Sequence, residues 1–108
     1  MCPGSPWFRV EAKVFIVRDS VIVGGEGLVR ILEAVREEGS IAGAAERLGM
    51  SYRKLWAKVR SAERLLGVRL VESGRGRGGS RLTRSAIEIL EAYRRFEERL
   101  RACLAGNG

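Results

Sequence analysis

The sequence predicts a mainly α fold with a small amount of β structure, arranged as a winged helix-turn-helix. Gly39–Val59 has the pattern of two short helices separated by a glycine turn. Ser73–Ser80, SGRGRGGS, is a glycine- and arginine-rich tip between two short strand-like segments, which is the pattern of a β-hairpin wing. Apolar residues at heptad spacing then continue to Cys103 and predict a long C-terminal helix.

A β-hairpin is predicted near the N-terminus. β-Branched residues in Val10–Val17 and Val21–Val23 predict two strands, and Arg18-Asp19-Ser20 is the expected turn between them. Met1–Pro6, with two prolines and a glycine, is expected to be disordered. After the Gly24-Gly25 break, a first helix is predicted at Glu26–Glu38. Its apolar face is expected to consist of Leu28, Ile31, Leu32 and Val35.

The helix-turn-helix is predicted from its capping residues. Ser40 is a good N-cap, Gly49 suits the left-handed C-cap that ends a helix, and Ser51 can cap the helix that follows. That second helix should run to about Leu66 and end at Gly67. Its core face is expected to hold Leu55, Val59, Ala62 and Leu66, with Trp56 beside them. An ordinary αα-hairpin would share these features and stays open as an alternative.

The wing and the last helix complete the fold. Val68–Glu72 and Arg81–Leu82 are the predicted wing strands, and Thr83 is the predicted N-cap of a helix running to about Leu104. The start of this helix is expected to pack on its own domain, and the remainder to face a partner; a monomer with the helix folded back is the alternative. The heptad seam consists of Ala86, Ile89, Tyr93, Phe96, Leu100 and Cys103. The expected division is a disordered or extended N-terminus at 1–9, the helix-turn-helix domain at 10–82, and the C-terminal helix at 83–105.

Positive charge is concentrated in one window of the chain. Residues 51–84 contain ten cations and only two acids, Glu63 and Glu72, so the window carries +8, although the whole chain carries +7. A basic surface so poor in acidic partners favours binding to a polyanion over an ordinary solvated face. The ten cations are Arg53, Lys54, Lys58, Arg60, Arg64, Arg69, Arg75, Arg77, Arg81 and Arg84.

Composition argues against an enzyme and against a membrane protein. The 108 residues contain no histidine, which removes the commonest general base and metal ligand. Two distant cysteines, Cys2 and Cys103, cannot form a zinc site alone, and they indicate a reducing cytoplasm rather than a disulfide framework. No apolar run approaches the ~20 residues of a membrane span. The glycine-rich tip matches neither a Walker loop nor a dinucleotide fingerprint, so no metal or cofactor is expected.

Arginine outnumbers lysine 17 to 3, glutamine is absent, and Asn107 is the only asparagine. This depletion of thermolabile residues indicates a thermophile, and a GC-rich genome would give the same arginine bias.

Three segments together resemble a known family. GSIAGAAERLGMSYRKLWAKV, LLGVRLVES and GRGRGGSRLT resemble the N-terminal DNA-binding domain of the ModE family, the molybdate-responsive transcription regulators. They are also similar to the wider LysR-type group of winged helix-turn-helix regulators. The resemblance covers Val14–Leu100. It implies a winged-helix fold, a homodimer through the first and last helices, and a recognition helix that begins at Ser51 and lies on double-stranded DNA.

The resemblance and the charges together give candidate residues. Arg53 and Lys54 are expected to read base edges. Phosphates are expected to be neutralised mostly by Lys58, Arg60, Arg75, Arg77 and Arg81. The candidate DNA-binding residues are Ser51, Tyr52, Arg53, Lys54, Lys58, Arg60, Arg75, Arg77 and Arg81. The candidate dimerisation residues are Leu28, Ala86, Ile89, Tyr93, Phe96, Leu100 and Cys103.

The chain departs from the ModE pattern in three places. Arginines interrupt the glycine run of the wing, and Ala86 stands where a glycine often follows the Leu-Thr pair. The chain ends at Gly108, whereas ModE proteins carry molybdate-binding domains after the winged helix, so we expect DNA binding without a molybdate site. A nucleic-acid coat without sequence preference and a protein-interaction adaptor using the long helix are the alternative functions.

Overall fold

The computed structural model describes residues 4–73 and 79–106, within which four helices and three two-stranded antiparallel sheets follow one another. The mainly α winged helix-turn-helix predicted from the sequence is confirmed. The elements are β1 (Gly4–Ser5), β2 (Phe8–Arg9), β3 (Ile16–Arg18), β4 (Val21–Gly24), α1 (Glu26–Glu38), α2 (Ile41–Leu48), α3 (Tyr52–Leu66), β5 (Val71–Ser73), β6 (Ser80–Leu82) and α4 (Arg84–Gly106).

The predicted N-terminal hairpin is present as β3 and β4, but its first strand is shorter than expected. Only Ile16–Arg18 pair with β4, and the register shifts between Ile16 and Val17. Asp19 and Ser20 form the turn with φ of 51° and 66°, and positive φ at both positions matches the twist of a tight hairpin. Residues 10–15 lie opposite no strand, so their β-branched residues form no ladder. The exposed strands β1 and β2 pair with each other before this hairpin.

The helix-turn-helix forms through the predicted caps. The Ser40 hydroxyl accepts a hydrogen bond from the Gly43 amide at 3.0 Å, and the Ser51 hydroxyl accepts one from the Lys54 amide at 3.0 Å. Gly49 ends α2 with a φ of 67°, in the left-handed region that disfavours every residue with a Cβ atom. These local interactions fix the direction in which α3 leaves the turn.

The core lies between α1, α2, α3 and the start of α4. The predicted apolar faces of α1 and α3 are buried in it, and Leu70 and Val71 close it from the side of the wing. Leu48, on the predicted stripe of α2, is half-buried, and so is Trp56. The largest fully buried side chains are Leu32, Leu55, Leu70, Leu90, Val29, Val35, Val59 and Val71.

Two long-range hydrogen bonds attach the N-terminal hairpin to the helices. The Arg18 guanidinium donates to the Leu66 carbonyl at 2.9 Å, at the C-terminus of α3, where a cation also stabilises the helix dipole. The Tyr93 hydroxyl of α4 donates to the Val14 carbonyl at 3.2 Å. A two-stranded hairpin is marginally stable alone, and these hydrogen bonds add to the packing of Ile16 and Val23 against the core.

The wing begins later in the sequence than predicted, at Val71 rather than Val68. Its two strands pair Val71 with Leu82 and Ser73 with Ser80. The Leu70 amide is bound by a side chain of α3, so this residue contributes no amide to the ladder. Thr83 caps α4 as expected, because its hydroxyl accepts from the Ala86 amide at 3.1 Å.

Candidate nucleic-acid interface

The N-terminal half of α3 presents a row of exposed cations. Arg53, Lys54 and Lys58 are all exposed and have no ion-pair partner among residues 4–73 and 79–106. Ser51 and Tyr52 precede them and are exposed as well, at the start of the helix. Since the buried residues of α3 occupy the opposite face, the fold leaves these side chains pointing away from the core.

Arg60, predicted as a phosphate contact, is held within the protein. Its guanidinium lies over the Trp56 ring, 4.3 Å from the ring centroid, and donates to the Glu63 carboxylate at 2.8 Å. Both contacts lie along one side of α3, at spacings of four and three residues. A phosphate would therefore compete with an existing carboxylate for this arginine, which it would not do at Arg53 or Lys54.

Glu63 is the buried charged residue of the described chain, with 7% of its surface exposed. Its carboxylate accepts from the Leu70 amide at 2.8 Å and from the Val71 amide at 3.3 Å, in addition to Arg60. Burial raises the pKa of Glu63, but these hydrogen bonds outweigh burial and hold the pKa below its ordinary value. Glu63 is therefore an anion that joins α3 to the first strand of the wing.

Of the predicted wing contacts, only Arg81 lies within the described residues; Arg75 and Arg77 lie outside them. Arg81 is exposed on β6 and donates to the Glu72 carboxylate on β5 at 3.2 Å. Both side chains are largely exposed, so this pair is weak and easily exchanged for another anion.

The predicted dimerisation residues divide into two groups. Leu28, Ala86 and Tyr93 are 8%, 0% and 5% exposed, so they pack within their own chain and offer almost no surface to a partner. Phe96 is 60% exposed, and Cys103 is exposed too. Ile89 and Leu100 are half-buried. The accessible part of the seam therefore lies in the second half of α4.

The sequence profile of bacterial regulatory helix-turn-helix proteins of the lysR family matches residues 27–86, which is more than half of the chain. The chain belongs to the LysR family. The predicted resemblance is thereby confirmed, and the match spans the helix-turn-helix, the wing and the start of α4.

Curated relatives of this LysR-family chain include proteins named for molybdenum. It is 39% identical over 72 residues, 64% of its length, to the molybdenum transport protein ModE of Herbaspirillum seropedicae, and this match covers 27% of that protein. It is 35% identical over 85 residues, 76% of its length, to the molybdenum-pterin-binding protein MopA of Rhodobacter capsulatus, covering 32% of it. The chain thus spans about a third or less of these relatives.

The fold of the LysR-family chain is also found in solved structures. It is similar to the crystal structure of the CbnR_DBD–DNA complex, with a TM-score of 0.57 and 33% sequence identity. The similarity covers 75% of this chain and 88% of that chain. The family and the fold are those of DNA-binding transcription regulators.

Two features of the LysR-family interface were not predicted from the sequence. Arg64 is a further exposed cation of α3 with no ion-pair partner in the described ranges, and in the sequence it stands out only through its contribution to the net charge. Glu63 is the second feature, and in the sequence it is one of two acids in a basic window. One sequence feature could have identified Glu63. It is an isolated acid among cations, and it lies between the core residues Ala62 and Leu66.

Across residues 4–73 and 79–106, no cluster of three or more histidine, cysteine, aspartate or glutamate side chains is arranged to hold a metal ion. No helix in those same ranges is long and apolar enough to cross a bilayer.

Proposed function

We propose that this chain is the DNA-binding part of a transcription regulator and that it binds specific sequences of double-stranded DNA as a homodimer. The observation that carries the proposal is the row of exposed cations on α3, Arg53, Lys54 and Lys58, none of which has a carboxylate partner in the described chain. Cations without internal partners are free to replace the counterions of DNA, which is the main source of protein–DNA affinity.

The N-terminus of α3 suits DNA for a second reason. Ser51 satisfies the Lys54 amide, and the amides of Tyr52 and Arg53 precede the first intrahelical hydrogen bond, which Leu55 donates to the Ser51 carbonyl. The helix dipole adds partial positive charge at the same end. An anion approaching this end therefore meets helix amides and side-chain cations together.

We assign different roles to the cations according to their partners. Arg53 and Lys54, in the first turn of α3, read base edges in the major groove, and Lys58 one turn later contacts phosphate. Arg81 can exchange Glu72 for phosphate because both side chains are exposed. Arg75 and Arg77 remain proposed wing contacts. Arg60 is the weakest of the candidates, because Glu63 and Trp56 already hold it.

The proposed homodimer forms through the second half of α4, where Phe96 and Leu100 continue the heptad seam. Two-fold symmetry would place one recognition helix in each half-site of a pseudo-palindromic operator, about 34 Å apart or a multiple of it. The proposal includes no enzymatic activity, and it places the protein in the bacterial cytoplasm, where its DNA is. It is limited to DNA binding, because the chain spans only about a third of the relatives named for molybdenum.

Selection of bound duplexes from a random DNA pool at near-physiological salt tests the proposal. We expect an enriched inverted repeat. Enrichment of no sequence, with binding that collapses as salt rises, would show a nucleic-acid coat instead.

Arg53→Ala then tests the base-reading role. We expect about 1–3 kcal/mol of lost discrimination at one base pair of the half-site. Arg95→Ala is the matched control, because Arg95 is an exposed arginine of α4 that has no ion-pair partner among the described residues. An Arg53→Ala protein that binds every sequence more weakly by the same factor would assign Arg53 to phosphate contact.

A further inference from the structure

A single side chain of the recognition helix holds the segment that leads into the wing. Segment 69–71 consists of the last two residues before β5 and the first residue of β5, and the Glu63 carboxylate accepts from two of its amides, those of Leu70 and Val71, at 2.8 and 3.3 Å. Arg69 also lies near this carboxylate, with its Nε 3.8 Å away. The contact spans seven or eight residues of sequence, so it fixes how the chain turns out of α3.

The carbonyl side of the same segment is held by α4. The Thr83 hydroxyl donates to the Arg69 carbonyl at 2.7 Å, and the Thr83 amide donates to the Leu70 carbonyl at 2.9 Å. Thr83 follows β6 directly and caps α4. Segment 69–71 is therefore fixed from both sides, by Glu63 of the recognition helix and by the residue where the second wing strand meets α4.

The Glu63 side chain is itself held in one orientation. Arg60 donates to it at 2.8 Å, and the Arg60 guanidinium is in turn stacked on the Trp56 ring. No buried nitrogen or oxygen of a described side chain lacks a hydrogen-bond partner, so this carboxylate is fully satisfied where it lies. A satisfied buried carboxylate with several donors holds its position, whereas losing part of that set leaves unpaired amides.

We propose that Glu63 is a positioning residue for DNA binding, which sets the orientation of the wing relative to the recognition helix without touching DNA. Arg60 is part of the same hydrogen-bonded group, and it orients Glu63 rather than binding phosphate. This inference rests on the proposed function, since a fixed angle between the wing and α3 matters only when both reach the same duplex.

The direction in which one substitution changes the affinity for DNA separates this positioning role from simple electrostatics. Glu63→Gln removes a negative charge beside the DNA-binding helix, so electrostatics alone predicts tighter binding to DNA. A positioning role predicts weaker binding to DNA instead. The glutamine side chain offers one acceptor oxygen where glutamate offers two, and its amino group turns donors toward Arg60 or the Leu70 and Val71 amides. The wing is then repositioned. Glu72→Gln is the matched control: it removes one negative charge from the exposed pair with Arg81, and we expect equal or tighter binding.

The experiment measures DNA affinity of the full chain against salt concentration, with the operator obtained by selection and with a scrambled duplex. For Glu63→Gln we expect roughly three- to tenfold weaker binding to the operator at near-physiological salt and a salt slope shallower by about 1–2, as expected when one or two phosphate contacts are lost. The order of base preference should stay that of the wild type, because Arg53 and Lys54 are unchanged.

Hydrogen exchange supplies a readout on the free protein. The Leu70 and Val71 amides should exchange faster in Glu63→Gln than in the wild type, while amides of α1 exchange at the same rate. Glu63→Asp keeps the charge and shortens the side chain, so it tests the same geometry if the glutamine variant does not fold. We expect weaker operator binding and a shallower salt slope for it too.

The inference is overturned if either variant, folded, binds the operator as tightly as the wild type with the same salt slope. It is also overturned if affinity falls together with the base preference, because that result would place the effect on the recognition helix. A wild-type chain that selects no sequence would contradict the proposed function instead, so the two failures are distinguishable.

Discussion

Single residues decide where the elements of this fold begin and end. Ser40 and Ser51 cap their helices through the local hydrogen bonds that their types predict, and Gly49 supplies a backbone conformation that other residues rarely adopt. Glu63 is different, because its effect depends on hydrogen-bond partners that lie beside it only in the folded chain. Both kinds of residue lead to testable changes in stability.

Acid should destabilise the protein partly through Glu63. Its pKa in the folded chain lies below the ordinary value of 4.5, so the unfolded chain binds more protons between those two values. The stabilisation is therefore fully present above 4.5 and is lost as pH falls through the folded pKa. We expect Glu63→Gln to lower the free energy of unfolding by about 1–3 kcal/mol at neutral pH and by much less near the folded pKa. Urea unfolding across that range measures this, and a pH-independent difference would contradict it.

Gly49→Ala should destabilise the helix-turn-helix although a Cβ atom there meets no other atom within 4 Å. Its φ of 67° costs a residue with a Cβ about 1–2 kcal/mol. Gly27→Ala is the control, because Gly27 also has open space but lies in α1 with negative φ, where alanine should stabilise by up to about 1 kcal/mol. Thermal unfolding should show a lower melting temperature for Gly49→Ala and an equal or higher one for Gly27→Ala. Equal shifts in melting temperature would show that backbone conformation is not the cause.

At the scale of elements, a cluster of charges attaches α4 to α1. Arg94 of α4 donates to Glu33 at 2.6 and 2.9 Å and to Glu26 at 3.0 and 3.2 Å, both on α1, and also to Glu97 at 2.7 Å. The hydrogen bonds that Arg94 donates to Glu33 lower the pKa of Glu33 and raise the pKa of Arg94. This bidentate geometry fixes the direction in which α4 leaves the core.

Arg94→Ala should therefore weaken the docking of α4. The change leaves three carboxylates close together without their cation, and we expect the free energy of unfolding to fall by about 1–3 kcal/mol, more at low salt than at high salt. Arg95→Ala, one residue away and exposed, should change stability by less than about 0.5 kcal/mol. Urea unfolding at two salt concentrations measures both variants. Equal effects of the two substitutions would show that the cluster contributes nothing specific.

At the scale of the whole molecule, the distribution of charge and of apolar surface defines two regions. Exposed cations of α3 have no ion-pair partner in the described ranges, whereas Glu26 and Glu33 of α1 and Glu97 of α4 are paired with Arg94. Apolar surface is exposed along the N-terminal hairpin, at Val17 and Ile22, and on α4 at Phe96. The first region suits DNA, and the second offers apolar surface to the homodimer that we propose.

Phe96→Asp should weaken the proposed dimer. An aspartate in an apolar interface must be desolvated without a partner, so we expect the dissociation constant of the dimer to rise by tenfold or more, corresponding to at least about 1.4 kcal/mol. Sedimentation equilibrium measures it. Leu65→Asp is the control, because Leu65 is also exposed, at 44%, but lies on α3. If Phe96→Asp sediments as the wild type does, the dimer uses another surface.

The elements that depend on local chemistry can be predicted from the amino-acid sequence alone. The bounds of α1, the caps Ser40 and Ser51 and the glycines that end three helices followed from propensities acting within a few residues. The excess of positive charge between residues 51 and 84 was also visible without a structure.

Which charges are paired and which are not depends on how the helices and the wing pack against one another. Arg60 and Arg53 look alike in the sequence, but Arg60 has a carboxylate and a tryptophan ring beside it, and Arg53 has no ion-pair partner in the described chain. The wing begins at Val71, and Glu63 binds the amides of Leu70 and Val71 at that point, contacts that no local pattern encodes. Tyr93, which fits the heptad, packs within its own chain because Val14 lies against it. Each outcome depends on residues distant in sequence, so it was fixed only once the chain had folded.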